Sequence, residues 1–186
     1  GDIDLLVDSA SFQAFTDVAG DLGFKLALPP AGREAAGILH FFGLDDRTGL
    51  LIHLHVYQRL VIGLPWRTHY RLPLETALLA TAQHRGSSSI FKTAAPELEL
   101  IVSVLRLSLR HMLRDSLRRS QPGWLDGALN EVDRLEEQVT PDEVVAALRR
   151  YLPDVSVSLF FRCRDALQPG HAPWRRLVAR TLLTNA

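Results

Sequence analysis

Alternation and helical spacing divide the chain into a front half of strands and a back half of helices. Residues 2 to 7 alternate, with Ile3, Leu5 and Val7 on one face and Asp2, Asp4 and Leu6 on the other, the period-two signature of a half-buried strand. Asp8 or Ser9 can cap the next element, a helix with an apolar stripe of Phe12, Phe15, Val18, Ala19 and Leu22 that Gly23 is placed to end. Phe24 to Leu28 reads as a short strand stopped by Pro29-Pro30, and Ala31 to Gly37 as a loop. Two apolar runs follow, Ile38 to Leu44 and Leu50 to Tyr57, and the turn residues Asp45 to Gly49 between them predict a hairpin. On the second run His53, His55 and Tyr57 share one face, with Ile52, Leu54 and Val56 on the other. With Leu44 opposite Leu50, His40 falls on Leu54's side and joins the other two histidines only in a different register.

From Leu72 onward the period is helical. Pro73 and Glu75 open a helix to about Ala82, and Gly86 with three serines marks a break. Pro96 lies in the first turn of the longest helix, Glu97 to about Arg119. The next helix is Trp124 to Val139, and another begins at Thr140-Pro141-Asp142-Glu143, a capping box with proline at the first helical position. Helices over about Val155 to Leu167 and Trp174 to Leu183 complete the chain. The expected class is α+β: a mixed-sheet core over residues 1–92, then an all-helical region over residues 93–186.

Composition narrows the picture modestly. Lys plus Arg and Asp plus Glu are both 21 among 186 residues, so no global charge points to nucleic acid or an anionic membrane. Residues 1–60 carry eight acids against four bases, and the remainder carries 13 against 17, so the front is acidic and the back basic. Cys163 is the single cysteine, which excludes an intrachain disulfide and suits a cytoplasmic setting. Apolar runs such as Leu50 to Val56 stop well short of the ~20 residues that a membrane span needs.

The candidate chemistry sits on the first strand. Two aspartates at i and i+2 project to one side about 7 Å apart, which lets both reach one cluster of divalent cations. A glycine just before them, Gly1, leaves room for a phosphate to approach the backbone. An isolated Asp-x-Asp is usually a solvated strand edge. Here it is embedded in Gly1-Asp2-Ile3-Asp4-Leu5-Leu6-Val7 and followed at once by an amphipathic helix.

That motif resembles the Gly/Ser-Asp-x-Asp-hydrophobic strand of the polymerase-beta-type nucleotidyltransferase superfamily. The hairpin ILHFFGLDDRTGLLIHLHVYQRL and the following YRLPLE are similar to a group of bacterial nucleotidyltransferase-like domains, some of which precede a thymidylate-kinase-like P-loop domain. The resemblance covers about residues 1–110 and implies an N-terminally truncated nucleotidyltransferase core, since the family's phosphate-binding Gly-Ser would precede Gly1. It implies transfer of a nucleoside monophosphate from an NTP such as ATP to a hydroxyl acceptor at a two-metal magnesium (Mg2+) site. Asp2 and Asp4 match the paired metal ligands, and His53 stands where a third carboxylate serves as ligand and base. Gly1 and His55 take nucleotide-binding positions. The implied partners are the nucleotide, the acceptor, and a fused or associated P-loop kinase-like domain. A core that has lost activity and serves as a binding or regulatory module is the alternative.

Other patterns carry less. Arg106, Arg110, Arg114 and Arg118 recur at i+4 as a basic stripe that reads first as a solvated face. Arg106 to His111 fits the Arg-x4-6-His spacing of HEPN ribonucleases, a match that comes easily in a chain with 19 arginines. Gly32 and Gly37 have P-loop spacing but lack the Lys and Ser/Thr that bind phosphate and magnesium.

Overall fold

The computed structural model describes residues 2–28, 37–62, 70–85, 90–110, 124–168 and 181–183. Two compact units emerge, one of Gly1–Val61 with Pro65–Glu75, the other of Ile62–Leu64 with Thr76–Ala186. The expected boundary after residue 92 and this boundary near 75 differ by one helix and a short ribbon. The physical reason is a set of tertiary contacts. The Ala95 amide donates to the Thr81 hydroxyl, Arg85 donates to the Ala94 carbonyl, and Arg85 also pairs with Glu99 at 3.4 Å. Residues 76–85 are thereby tied to the first long helix.

The first unit is built on a mixed four-stranded sheet of order β1-β4-β3-β2, with β1 Asp2–Leu6, β2 Lys25–Ala27, β3 Ile38–Asp45 and β4 Leu50–Tyr57. β1 runs parallel to β4, while β4 with β3 and β3 with β2 are antiparallel. A parallel pair needs a crossover. Here the chain between β1 and β4 holds a 3-10 turn at Ser9–Ser11, helix α1 (Phe12–Asp21), the edge strand β2 and the interior strand β3. Helix α1 ends as its sequence predicts, with Gly23 at φ 85°.

One face of this sheet is apolar. Phe41, Leu54 and Val56 are buried with Ala19 of α1, and Ile3, Leu5, Phe12, Phe15, Phe24, Leu39 and Ile52 pack around them. Phe15 meets Phe41 edge to face at 5.8 Å. Because side chains alternate, fixing this face against α1 commits the other residues of β1, β3 and β4 to the opposite side. Further along, β5 (Val61–Ile62) pairs with β6 (Tyr70–Arg71). Leu72 and Leu74 are buried, and the Glu75 carboxylate accepts the Leu60 amide at 2.9 Å.

In the second unit α2 (Glu75–Thr81), all but its first residue, leads through the ribbon β7–β8 (Gln83–His84 with Lys92–Thr93) to four longer helices. These are α3 (Pro96–Arg110), α4 (Trp124–Glu136), α5 (Pro141–Tyr151) and α6 (Val157–Leu167). Helix α3 is the hub, packing against α4, α5 and α6. Its Leu98, Leu100, Ile101, Val104, Leu105, Leu107 and Leu109 are buried on nearly every side, as a helix apolar all round must be. The Thr140–Glu143 capping box forms as the sequence predicts. The expected helix over Trp174 to Leu183 lies outside the described residues apart from 181–183, and so does the expected run of α3 beyond Arg110. Among the described residues no helix is long and apolar enough to cross a membrane.

Candidate functional site

The register of the four strands assembles the polar face. Asp4 of β1 lies beside His55 of β4, His55 opposite His40 of β3, and His40 opposite Ala27 of β2. One pleat along, Asp2 pairs with His53, His53 with Phe42, and Phe42 with Lys25. Two adjacent ladders thus cross the whole sheet, each joining an Asp-x-Asp position to a histidine of the central strand.

The expected placement of His40 is corrected here. Asp45, not Leu44, pairs with Leu50, and Leu44 pairs with Leu51. The turn is one residue shorter than its composition suggests, because Asp45 closes it. The Asp45 carbonyl accepts the amides of Thr48 at 3.2 Å and Gly49 at 2.7 Å. Its carboxylate takes the Arg47 amide and the Thr48 hydroxyl. A one-residue change in register turns every side chain over, and His40 moves from Leu54's side to the histidine face.

Three imidazoles result, each half-buried, with one ligand nitrogen apiece all lying within 4.8 Å of one another. His40 Nδ1 and His53 Nε2 share a hydrogen bond of 3.1 Å. His55 Nδ1 lies 3.2 Å from Asp4 Oδ1, the carboxylate being the more exposed partner. The His55 ring stands nearly perpendicular to both others, at 84° to His53 and 85° to His40. Phe42 stacks on His53, centroids 4.1 Å apart and planes 9° from parallel. Burial, with the neighbouring His55 and His53, holds His40 below the ordinary imidazole pKa, so the neutral, ligating form is favoured.

Of the residues that the sequence singles out, Asp4, His53 and His55 come together on this face, and Asp2 is in backbone register with His53. Gly1 lies outside the described residues. Sequence reading leaves out Phe42 and admits His40 only in another register, although one signal points to that register: Asp favours the first position of a tight turn and Gly its left-handed end, which picks Asp45 as the residue paired with Leu50.

The donor chemistry bears on the ion. Magnesium takes oxygen ligands in a near-ideal octahedron, whereas the side chains described around Asp4 offer one carboxylate and three imidazoles. Elsewhere, Arg106 is half-buried on α3, and the side chains of Arg110, His111, Arg114 and Arg118 lie outside those described, as do Gly32 and the rest of its loop before Gly37. Cys163 is buried, and burial pushes its thiol up. Set against protein-family models, curated proteins and solved structures, the chain matches none of them.

Proposed function

We propose that the chain is a nucleotidyltransferase-like protein that moves a nucleoside monophosphate from an NTP to a hydroxyl acceptor with a divalent cation. The observation that carries this reading is the parallel register of β1 and β4, in which Asp2 lies beside His53 and Asp4 beside His55. An interior-strand neighbour beside the Asp-x-Asp strand supports matching His53 to the third catalytic group of the family that the strand resembles. In this reading Asp4 and Asp2 supply negative charge toward the metal–nucleotide complex, and His53 accepts the proton of the attacking hydroxyl as a neutral base. The resemblance implies magnesium as the cation, and the imidazoles beside Asp4 would favour a softer ion.

The test is calorimetric titration of ATP into the protein with magnesium, manganese or zinc present, repeated on Asp2→Ala and Asp4→Ala. Metal-dependent binding that both substitutions weaken by 10-fold or more supports the reading, and absence of any metal-dependent nucleotide binding overturns it.

A second reading, a binding or regulatory module on a core that has lost transferase activity, draws on the hydrogen bond between His40 and His53. An imidazole engaged in this way is a poorer base. Nucleotide binding with no turnover of ATP against any hydroxyl acceptor would favour it.

A further inference from the structure

We propose that His40, His53 and His55 form a binding site for a single transition-metal dication of the zinc class, with Asp4 orienting His55 from behind.

The geometry is close to a metal site in three respects. A zinc ion held by imidazoles at 2.0–2.1 Å places tetrahedral ligand nitrogens about 3.3 Å apart. His40 Nδ1 and His53 Nε2 already stand 3.1 Å apart, where the proton of their hydrogen bond sits between two lone pairs. A dication replaces that proton and lets both nitrogens act as acceptors toward it. The third nitrogen, from His55, lies within 4.8 Å of the others.

Ring orientation points the same way. The His40 and His53 rings lie 26° from parallel and His55 meets both edge to face at 84° and 85°, an arrangement in which one ligand nitrogen from each ring lies within 4.8 Å of the others. Phe42 covers a face of His53.

The surroundings supply the outer shell that metal-bound histidines usually have. A ligating imidazole commonly gives its other ring N–H to a carboxylate, which fixes the tautomer and raises ligand basicity. Asp4 Oδ1 at 3.2 Å from His55 Nδ1 is placed for this role, leaving Nε2 of His55 as the coordinating atom. Imidazole donors favour zinc, copper and nickel over magnesium. Three protein ligands leave a fourth position, and the half-buried setting leaves it to water or to an anionic group of a ligand.

This site does not rest on the nucleotidyl reading, since its test contains no nucleotide. Chelator-stripped full chain is titrated with Zn2+ by calorimetry and with Co2+ by visible absorption. The expected result is one ion per chain, a Co2+ spectrum with the intensity of tetrahedral nitrogen coordination, and a rise in melting temperature with Zn2+. His40→Gln and His53→Gln should each weaken binding by at least 100-fold, and Asp4→Asn by 10- to 100-fold, with circular dichroism confirming that each variant is folded. His84→Ala should leave it unchanged. Should a histidine variant fail to fold, Asp4→Asn together with the Co2+ spectrum of the unaltered chain decides the matter. Sub-stoichiometric or millimolar binding, an octahedral Co2+ spectrum, or equal affinity in Asp4→Asn and the unaltered chain overturns the proposal.

Discussion

His40 sits directly across from His55 on the β3–β4 ladder, and that pairing depends on where the hairpin turn closes. Asp45 pairs with Leu50, the turn runs over the next four residues, and Gly49 ends it at φ 69°. No atom lies within 4 Å of where a Cβ on Gly49 would be, so a side chain there is strained by backbone conformation and not by crowding. Gly49→Val should cost about 1–2 kcal/mol, while Gly49→Asn should cost much less because asparagine tolerates the left-handed region. Equal melting temperatures for the two variants would show that the turn does not hold this conformation in solution.

Gly43 carries the opposite kind of constraint. It lies in β3 opposite Ile52, and a Cβ there would come 2.7 Å from Phe24 Cε1. The ring of Phe24 packs against the apolar face of the sheet, so it must shift to admit even a methyl group. Gly43→Ala should destabilise the chain by about 1–3 kcal/mol. In Phe24→Ala the same substitution should be nearly neutral, because the obstructing ring has gone. Additive effects in chemical denaturation would refute the close approach.

These two glycines also show where sequence reading works and where it stops. Alternation along β1 and β4 fixed which residues share a face, because one apolar side must be buried against α1. Alternation says nothing about register between strands. His53 and His55 were therefore legible as a pair, whereas His40 was not: its face depended on whether Asp45 belongs to the strand or to the turn. The helices were legible because caps and apolar stripes are local signals; Thr140-Pro141-Asp142-Glu143 marked the start of α5 to the residue. The unit boundary was not, because it depends on tertiary contacts such as Arg85 with Glu99, between residues that periodicity treats separately.

A two-pronged polar contact joins α4 to α6. Arg164 donates from Nε and Nη2 to the two carboxylate oxygens of Glu136, a two-pronged pairing that lysine cannot reproduce. Both groups are mostly buried, with Arg164 31% exposed and Glu136 22%. Arg164→Met should cost about 2 kcal/mol, and Arg164→Lys should recover only part of it. A double-mutant cycle with Glu136→Gln should give a coupling of about 1 kcal/mol. A coupling indistinguishable from zero in urea denaturation would mean that apolar packing alone holds these helices.

The start of α5 ties stability to pH in a direction that can be worked out. The Thr140 hydroxyl accepts the Glu143 amide at 3.3 Å, and the Glu143 carboxylate accepts the Thr140 amide at 2.7 Å and its hydroxyl at 2.8 Å. The backbone amide is the larger cause, and the hydroxyl the second, of a Glu143 carboxyl held below its ordinary pKa of 4.5. In the unfolded chain Glu143 takes up its proton near that ordinary value, before the folded chain does. Its contribution is thus complete above pH 4.5 and fades as pH falls through the lower, folded value. Stability of the unaltered chain minus that of Glu143→Ala should therefore be constant from pH 7 to about 5.5 and shrink below 4.5. Thr140→Ala should cost about 1 kcal/mol at pH 7. It should also return the Glu143 titration toward ordinary values, because the hydroxyl that helps to lower it has been removed. A carboxyl resonance of Glu143 that titrates identically in both proteins would show that the two halves of the box act independently.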